Sequence, residues 1–192
     1  YPEIIVTNHS NQYNTYYGNH GGSFKDETLS HTALATTWDY VSWGIAWQDL
    51  DCDGWLDLVE ANGDTSPYTM LGARHDPMKP AGDKGWEGYV EKPLVFHGAE
   101  PGTYETARLS TDDPLAGYYA ARGLATGDLD RDGDLDLVFW LMDNKPLLVW
   151  NESDRGRFIS FILEGDPAAG SNRDAYGARV TIQVGTYPKV RW

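Results

Sequence analysis

Two short runs of aspartates are the residues best placed to do chemistry. In "DLDCDGWLD" the carboxylates are Asp49, Asp51, Asp53 and Asp57; in "DLDRDGDLD" they are Asp128, Asp130, Asp132, Asp134 and Asp136. Packed this closely, carboxylates repel one another, yet each run leads straight into an apolar Asp-Leu-Val segment suited to a core. A cation held between them would reverse the repulsion. The shared spacing is D-x-D-x-D-G-x-x-D, and carboxylates at positions one, three and five converge if the chain curls around a centre. Gly54 and Gly133, at position six, permit the sharp turn. A backbone carbonyl at position seven (Trp55, Asp134) and the carboxylate at nine (Asp57, Asp136) would complete an oxygen cage. Hard oxygen donors on a flexible loop suit Ca2+, at roughly 2.3–2.6 Å, whereas Mg2+ demands tighter octahedral geometry. Zn2+ would want His or Cys, and the loops offer only Cys52, at a position between ligands.

The first run also satisfies the EF-hand pattern, because Glu60 stands at position twelve. Two observations weigh against that reading. The second run has Phe139 at position twelve, and the flanks "VSWGIAW", "LDLVEA", "RGLATG" and "LDLVFWLM" alternate like strands. Solvated acidic turns without a metal are the plain alternative.

The elements that position these loops are repeated. "WGIAWQDLDCDGWLDLVEAN" (43–62) resembles "ARGLATGDLDRDGDLDLVFW" (121–140), with Asp49 matching Asp128. Behind each comes a strand, a turn and a strand: "PLVFHGAEPGTYET" (93–106) and "PLLVWNESDRGRFIS" (146–160). "NTYYGNHGGSFKDET" (14–28) fits the same template. The opening "YPEIIVTN" aligns with "WLDLVEAN" (55–62), placing Tyr1 under Trp55 and Glu3 under Asp57. The chain is therefore expected to open inside a third acidic loop, at its seventh position, with Glu3 as that loop's last carboxylate. On this reading the 192 residues are a piece of a longer chain. Several short strands per repeat predict an all-β fold, a partial β-propeller in which each repeat is a blade. The stretch 66–92, with Pro67, Pro77 and Pro80, reads as a long loop inserted into a blade.

In spacing and order, the loops resemble the calcium-binding FG-GAP/VCBS repeats of integrin-α-like β-propellers. The C-terminal stretch resembles the start of an ASPIC/UnbV domain, whose signature is close to S-N-R-D-x-x-G-A-R-V. It is matched by Ser171, Asn172, Arg173, Asp174, Gly177, Ala178, Arg179 and Val180. The resemblance implies blades over 1–153 and a partial ASPIC/UnbV-like small β domain over 154–192. It also implies an extracellular, calcium-bearing scaffold.

Bulk properties narrow the function further. The net charge is −14, and nine of the 29 acidic residues lie in the two runs, so the acidity is local and points to cations. Nucleic acid is excluded as a partner, since phosphate binding needs a basic face. No apolar run is long enough to span a membrane as a helix. A single cysteine rules out an internal disulfide. His9, His20, His31, His75 and His97 show no paired-ligand spacing, and no nucleophile elbow or phosphate-binding loop occurs. His75 with Asp76 reads as a polar surface pair, and the S-N-R-D segment as a structural turn. Asn8 and Asn151 head N-x-[ST] sequons. The expected function is a non-enzymatic calcium-binding scaffold, secreted or at a cell surface. It would present loops to an unidentified protein or glycan, in adhesion, or to copies of itself in self-assembly. The rival is an enzyme or biosynthetic accessory with a pocket on the propeller.

Overall fold

The computed structural model describes residues 3–65, 88–99, 103–142, 145–153, 156, 158–184 and 187–191. Most of the expected insertion, including His75 and Asp76, lies outside these residues. The chain divides into two compact units, 1–156 and 157–192.

The first unit is built of three antiparallel sheets. The first sheet has the order β1 (Ile4–Val6), β2 (Thr15–His20), β3 (Ser23–Asp26). The second runs β4 (Ser42–Gln48), β5 (Asp57–Asn62), β6 (Leu94–Gly98), β7 (Tyr104–Thr106). The third runs β8 (Ala121–Gly127), β9 (Asp136–Leu141), β10 (Leu147–Val149). Each is an up-and-down meander of neighbours in sequence, the pattern of a propeller-like blade. Among the described residues, helical structure is limited to 3₁₀ segments, the longest being Thr32–Asp39. The fold is all-β, as the strand-like alternation implies.

The repeat read from the sequence is also a repeat of register. Ile4 pairs with Tyr17, Leu58 with Phe96 and Leu137 with Val149, at aligned positions of the three sheets. In β4 and β8 the register shifts between Ser42 and Gly44 and between Ala121 and Gly123, again aligned. A β-bulge is one cause of such a shift and would strengthen the twist locally, at the same place in both sheets.

Packing follows from the side-chain period of two. All six residues of β5 are buried. Leu58 joins Tyr16, Leu34, Leu94 and Phe96 in one apolar cluster, while Val59 and Ala61 join Leu137, Phe139, Leu141 and Val149 in another. The second sheet is thus covered on both faces, which explains a strand with little polar alternation. The end of the expected insertion is not a free loop: Val90 bridges Gly63, and Glu91 bridges Tyr119. The Glu91 carboxylate also accepts from the Val41 amide at 3.0 Å.

The second unit holds the antiparallel hairpin β11 (Val180–Val184) and β12 (Tyr187–Arg191). Ahead of it, Ser171 Oγ accepts from the Asp166 amide at 2.7 Å. The Asn172 side chain donates to Tyr176 O at 2.9 Å and accepts from the Tyr176 amide at 2.7 Å. The S-N-R-D segment therefore closes a turn with its own side chains.

Candidate metal centre

The first acidic loop connects β4 to β5 and the second connects β8 to β9. Gln48↔Asp57 and Gly127↔Asp136 are the closing pairs, so the ninth position of each loop begins the return strand. These β-strand flanks replace the helices an EF-hand would need.

The two loops share one backbone course. Position four is left-handed in both (Cys52 φ 54°, Arg131 φ 68°), and so is the glycine at six (Gly54 φ 92°, Gly133 φ 103°). A side chain at position six would be strained, hence the glycine. Each amide two residues on donates to the preceding aspartate. Asp53 N donates to Asp51 Oδ1 at 3.3 Å and Trp55 N to Asp53 Oδ1 at 2.7 Å. In the second loop Asp132 N donates to Asp130 Oδ1 at 3.2 Å and Asp134 N to Asp132 Oδ1 at 3.0 Å.

The ninth carboxylate is a clamp. Asp57 Oδ2 accepts from Leu50 N at 2.8 Å and Oδ1 from Gly98 N at 3.0 Å. Asp136 Oδ2 accepts from Leu129 N at 2.8 Å and Oδ1 from Asn151 N at 3.0 Å. Both side chains are 1% exposed. One carboxylate therefore pins the mouth of its loop to the turn beyond the next strand.

Carboxylate oxygens converge in both loops. Asp49, Asp51 and Asp57 bring one oxygen each within 4.8 Å of one another, as do Asp128, Asp130 and Asp132. Positions one, three and nine gather in the first loop; one, three and five gather in the second. Together they are the four carboxylate positions expected from the spacing. Trp55 and Asp134 occupy position seven, where the backbone carbonyl was expected as a ligand. Glu3 belongs to neither group; it is exposed, and its carboxylate takes a hydrogen bond from the Tyr16 phenol.

The electrostatics match crowded acids. Burial, with the charge of Asp51 adding to it, raises the Asp57 pKa against the opposing amides of Gly98 and Leu50. Desolvation, then the charges of Asp132 and Asp136, raises that of Asp130. The Cys52 thiol is pushed up to about 11, first by burial and then by Asp134 and Asp49. It stays protonated, with Sγ directed at Asp134 Oδ1, 3.7 Å away, and offers no thiolate. The donor set is thus oxygen only, which fits a hard divalent cation and not zinc.

Spacing did not reveal three features. Glu60 is not a loop ligand: it is fully buried, and its Oε2 accepts from Ser42 Oγ at 3.4 Å. Cys52 links the two loops through Asp134. Asn151 lies between them, and its alignment with Gly98 is the one sequence signal that marks its turn.

These features define a class: a β-sheet repeat protein with an acidic, cation-suited loop between strands. The FG-GAP-like repeat family matches residues 1–60, which hold the first sheet, the first acidic loop and the start of β5. The similarity to an FG-GAP-like repeat thus covers residues 1–60, and the all-β meanders are consistent with propeller-like blades. No curated protein matches the chain.

Proposed function

We propose that the chain is a calcium-binding, extracellular, propeller-type scaffold in which calcium is structural rather than catalytic. The observation that carries this is the duplication of the centre: two loops with one backbone course, each converging three carboxylates from the same small set of positions. When bound, calcium would supply the charge that offsets this repulsion. Asp49, Asp51, Asp53 and Asp57 would hold one ion and Asp128, Asp130, Asp132 and Asp136 the other, with the carbonyls of Trp55 and Asp134 as further donors. Extracellular modules bind calcium at about 10⁻⁴–10⁻³ M, which suits a site kept filled outside the cell. The stiffened sheets would present their loops to a protein or glycan or to another copy of the chain. Residues 154–192 would begin an ASPIC/UnbV-like domain. No catalytic role is assigned.

The test is thermal melting of the chain and of Asp49→Ala/Asp51→Ala, each in calcium and in EDTA. Calcium at a hundredfold excess over Kd adds about 2.7 kcal/mol per site. The parent should melt several degrees higher in calcium, and the double variant should lose the part belonging to its loop. A parent insensitive to EDTA sinks the proposal.

A further inference from the structure

Asn151 stands where the two acidic loops meet. Its Nδ2 donates to the Leu50 carbonyl at 2.7 Å and to the Leu135 carbonyl at 3.3 Å. Leu50 is the second residue of the first loop, between Asp49 and Asp51; Leu135 is the eighth of the second, between Asp134 and Asp136. The Asn151 amide donates to the clamp carboxylate Asp136. Its Oδ1 accepts from Ser153 N at 3.1 Å and Ser153 Oγ at 2.6 Å, which fixes the direction in which the amide group points. A second link runs nearby, from Cys52 Sγ at position four of the first loop to Asp134 at position seven of the second.

The aligned residue one blade earlier shows that this is more than blade architecture. Gly98 makes the same backbone bond, to Asp57, but has no side chain. A Cβ there would strike the Leu56 carbonyl, the counterpart of Leu135. At residue 98 the turn packs directly on the loop; at residue 151 a side-chain amide is inserted and reaches across to the other loop.

We propose that Asn151 is a positioning residue that couples the two loops, so that calcium at one raises the affinity of the other. The inference rests on the calcium reading above. Calcium orders a loop whose carboxylates otherwise repel, and ordering carries an entropic cost. A single amide bonded to a carbonyl of each loop makes that ordering partly shared, which is positive coupling between sites.

The experiment is calcium titration by calorimetry on four forms of the full chain: parent, Asp128→Asn/Asp130→Asn, Asn151→Ala, and all three changes together. Disabling the second loop in the parent background should weaken calcium binding at the first about fivefold or more, the lower end of measured couplings. In the Asn151→Ala background the same two changes should alter it by less than about twofold. The comparison is a ratio within each background, so a general effect of Asn151→Ala on stability cancels. Equal or tighter first-loop binding without the second loop overturns the coupling and leaves the calcium reading standing. A coupling that survives in Asn151→Ala overturns the role of Asn151. That arm needs folded variant, shown by its circular dichroism; the parent-background arm does not. Absence of calcium binding in the parent removes both readings.

Discussion

Glu60 is a carboxyl group in a position that favours its neutral form. It lies on β5, fully buried, beside the Asn14 side chain and the Ser42 hydroxyl. Burial raises its pKa from 4.5 to about 7, opposed by Asn14 and Ser42. Between those values the folded chain holds a proton that the unfolded chain has released. Stability therefore falls as pH rises from 4.5 to about 7, and is level beyond it. Glu60→Gln should remove that decline. In EDTA, which takes calcium out of the comparison, the variant should match the parent near pH 4.5 and melt above it at pH 8. Melting temperatures that run parallel across the whole range would show that Glu60 does not titrate in this window.

At the scale of the loop, the carboxylates fall into two kinds. Asp57 and Asp136 hold two backbone N–H groups each and are buried, so they serve the fold with or without an ion. Asp49, Asp51, Asp128 and Asp130 are the other converging carboxylates, which under the proposed reading would hold the ion together with Asp132. Asp57→Ala should cost about 3 kcal/mol or more even in EDTA, since two charge-assisted hydrogen bonds are lost and two buried amides are orphaned. Asp128→Asn, on an exposed aspartate, should change stability in EDTA by no more than about 0.5 kcal/mol, and should act only in calcium. Urea unfolding of both in the two buffers measures the contrast; equal losses in EDTA would end it. This division was half legible in the sequence. The spacing D-x-D-x-D-G-x-x-D marks eight of the nine acids, all but Asp134 at position seven, and the repeat places the strands around them. The different duty of position nine is written in partners at Gly98 and Asn151, far along the chain. The contacts of Cys52 with Asp134 and of Asn151 with Leu50 join residues 82 and 101 positions apart, and no local pattern encodes them. Glu60 was masked differently: an acid at position twelve of an acidic loop looks like a ligand until the strand's alternation turns it into the core.

Across the whole molecule, the first acidic loop and the core share one strand. β5 begins with the clamp Asp57 and continues through Leu58 and Val59, which enter different apolar clusters. Repulsion in the first loop is thus applied at the end of the element on which both sheet interfaces depend. The net charge of −14 adds a diffuse term of the same sign, since like charges disfavour the compact state. Two bound calcium ions would remove the concentrated part of that repulsion and leave the diffuse part. Salt screens exposed charges over a Debye length of about 10 Å at 0.1 M. It can therefore substitute for calcium only partly, and only when calcium is absent. In EDTA, raising sodium chloride from low to physiological ionic strength should lift the melting temperature clearly; in saturating calcium the same change should do much less. Circular dichroism and tryptophan fluorescence should follow the melt together, because loosening β5 opens both clusters at once. Equal salt slopes with and without calcium would mean that the loops carry no strain for an ion to relieve, and that the core holds β5 independently of them.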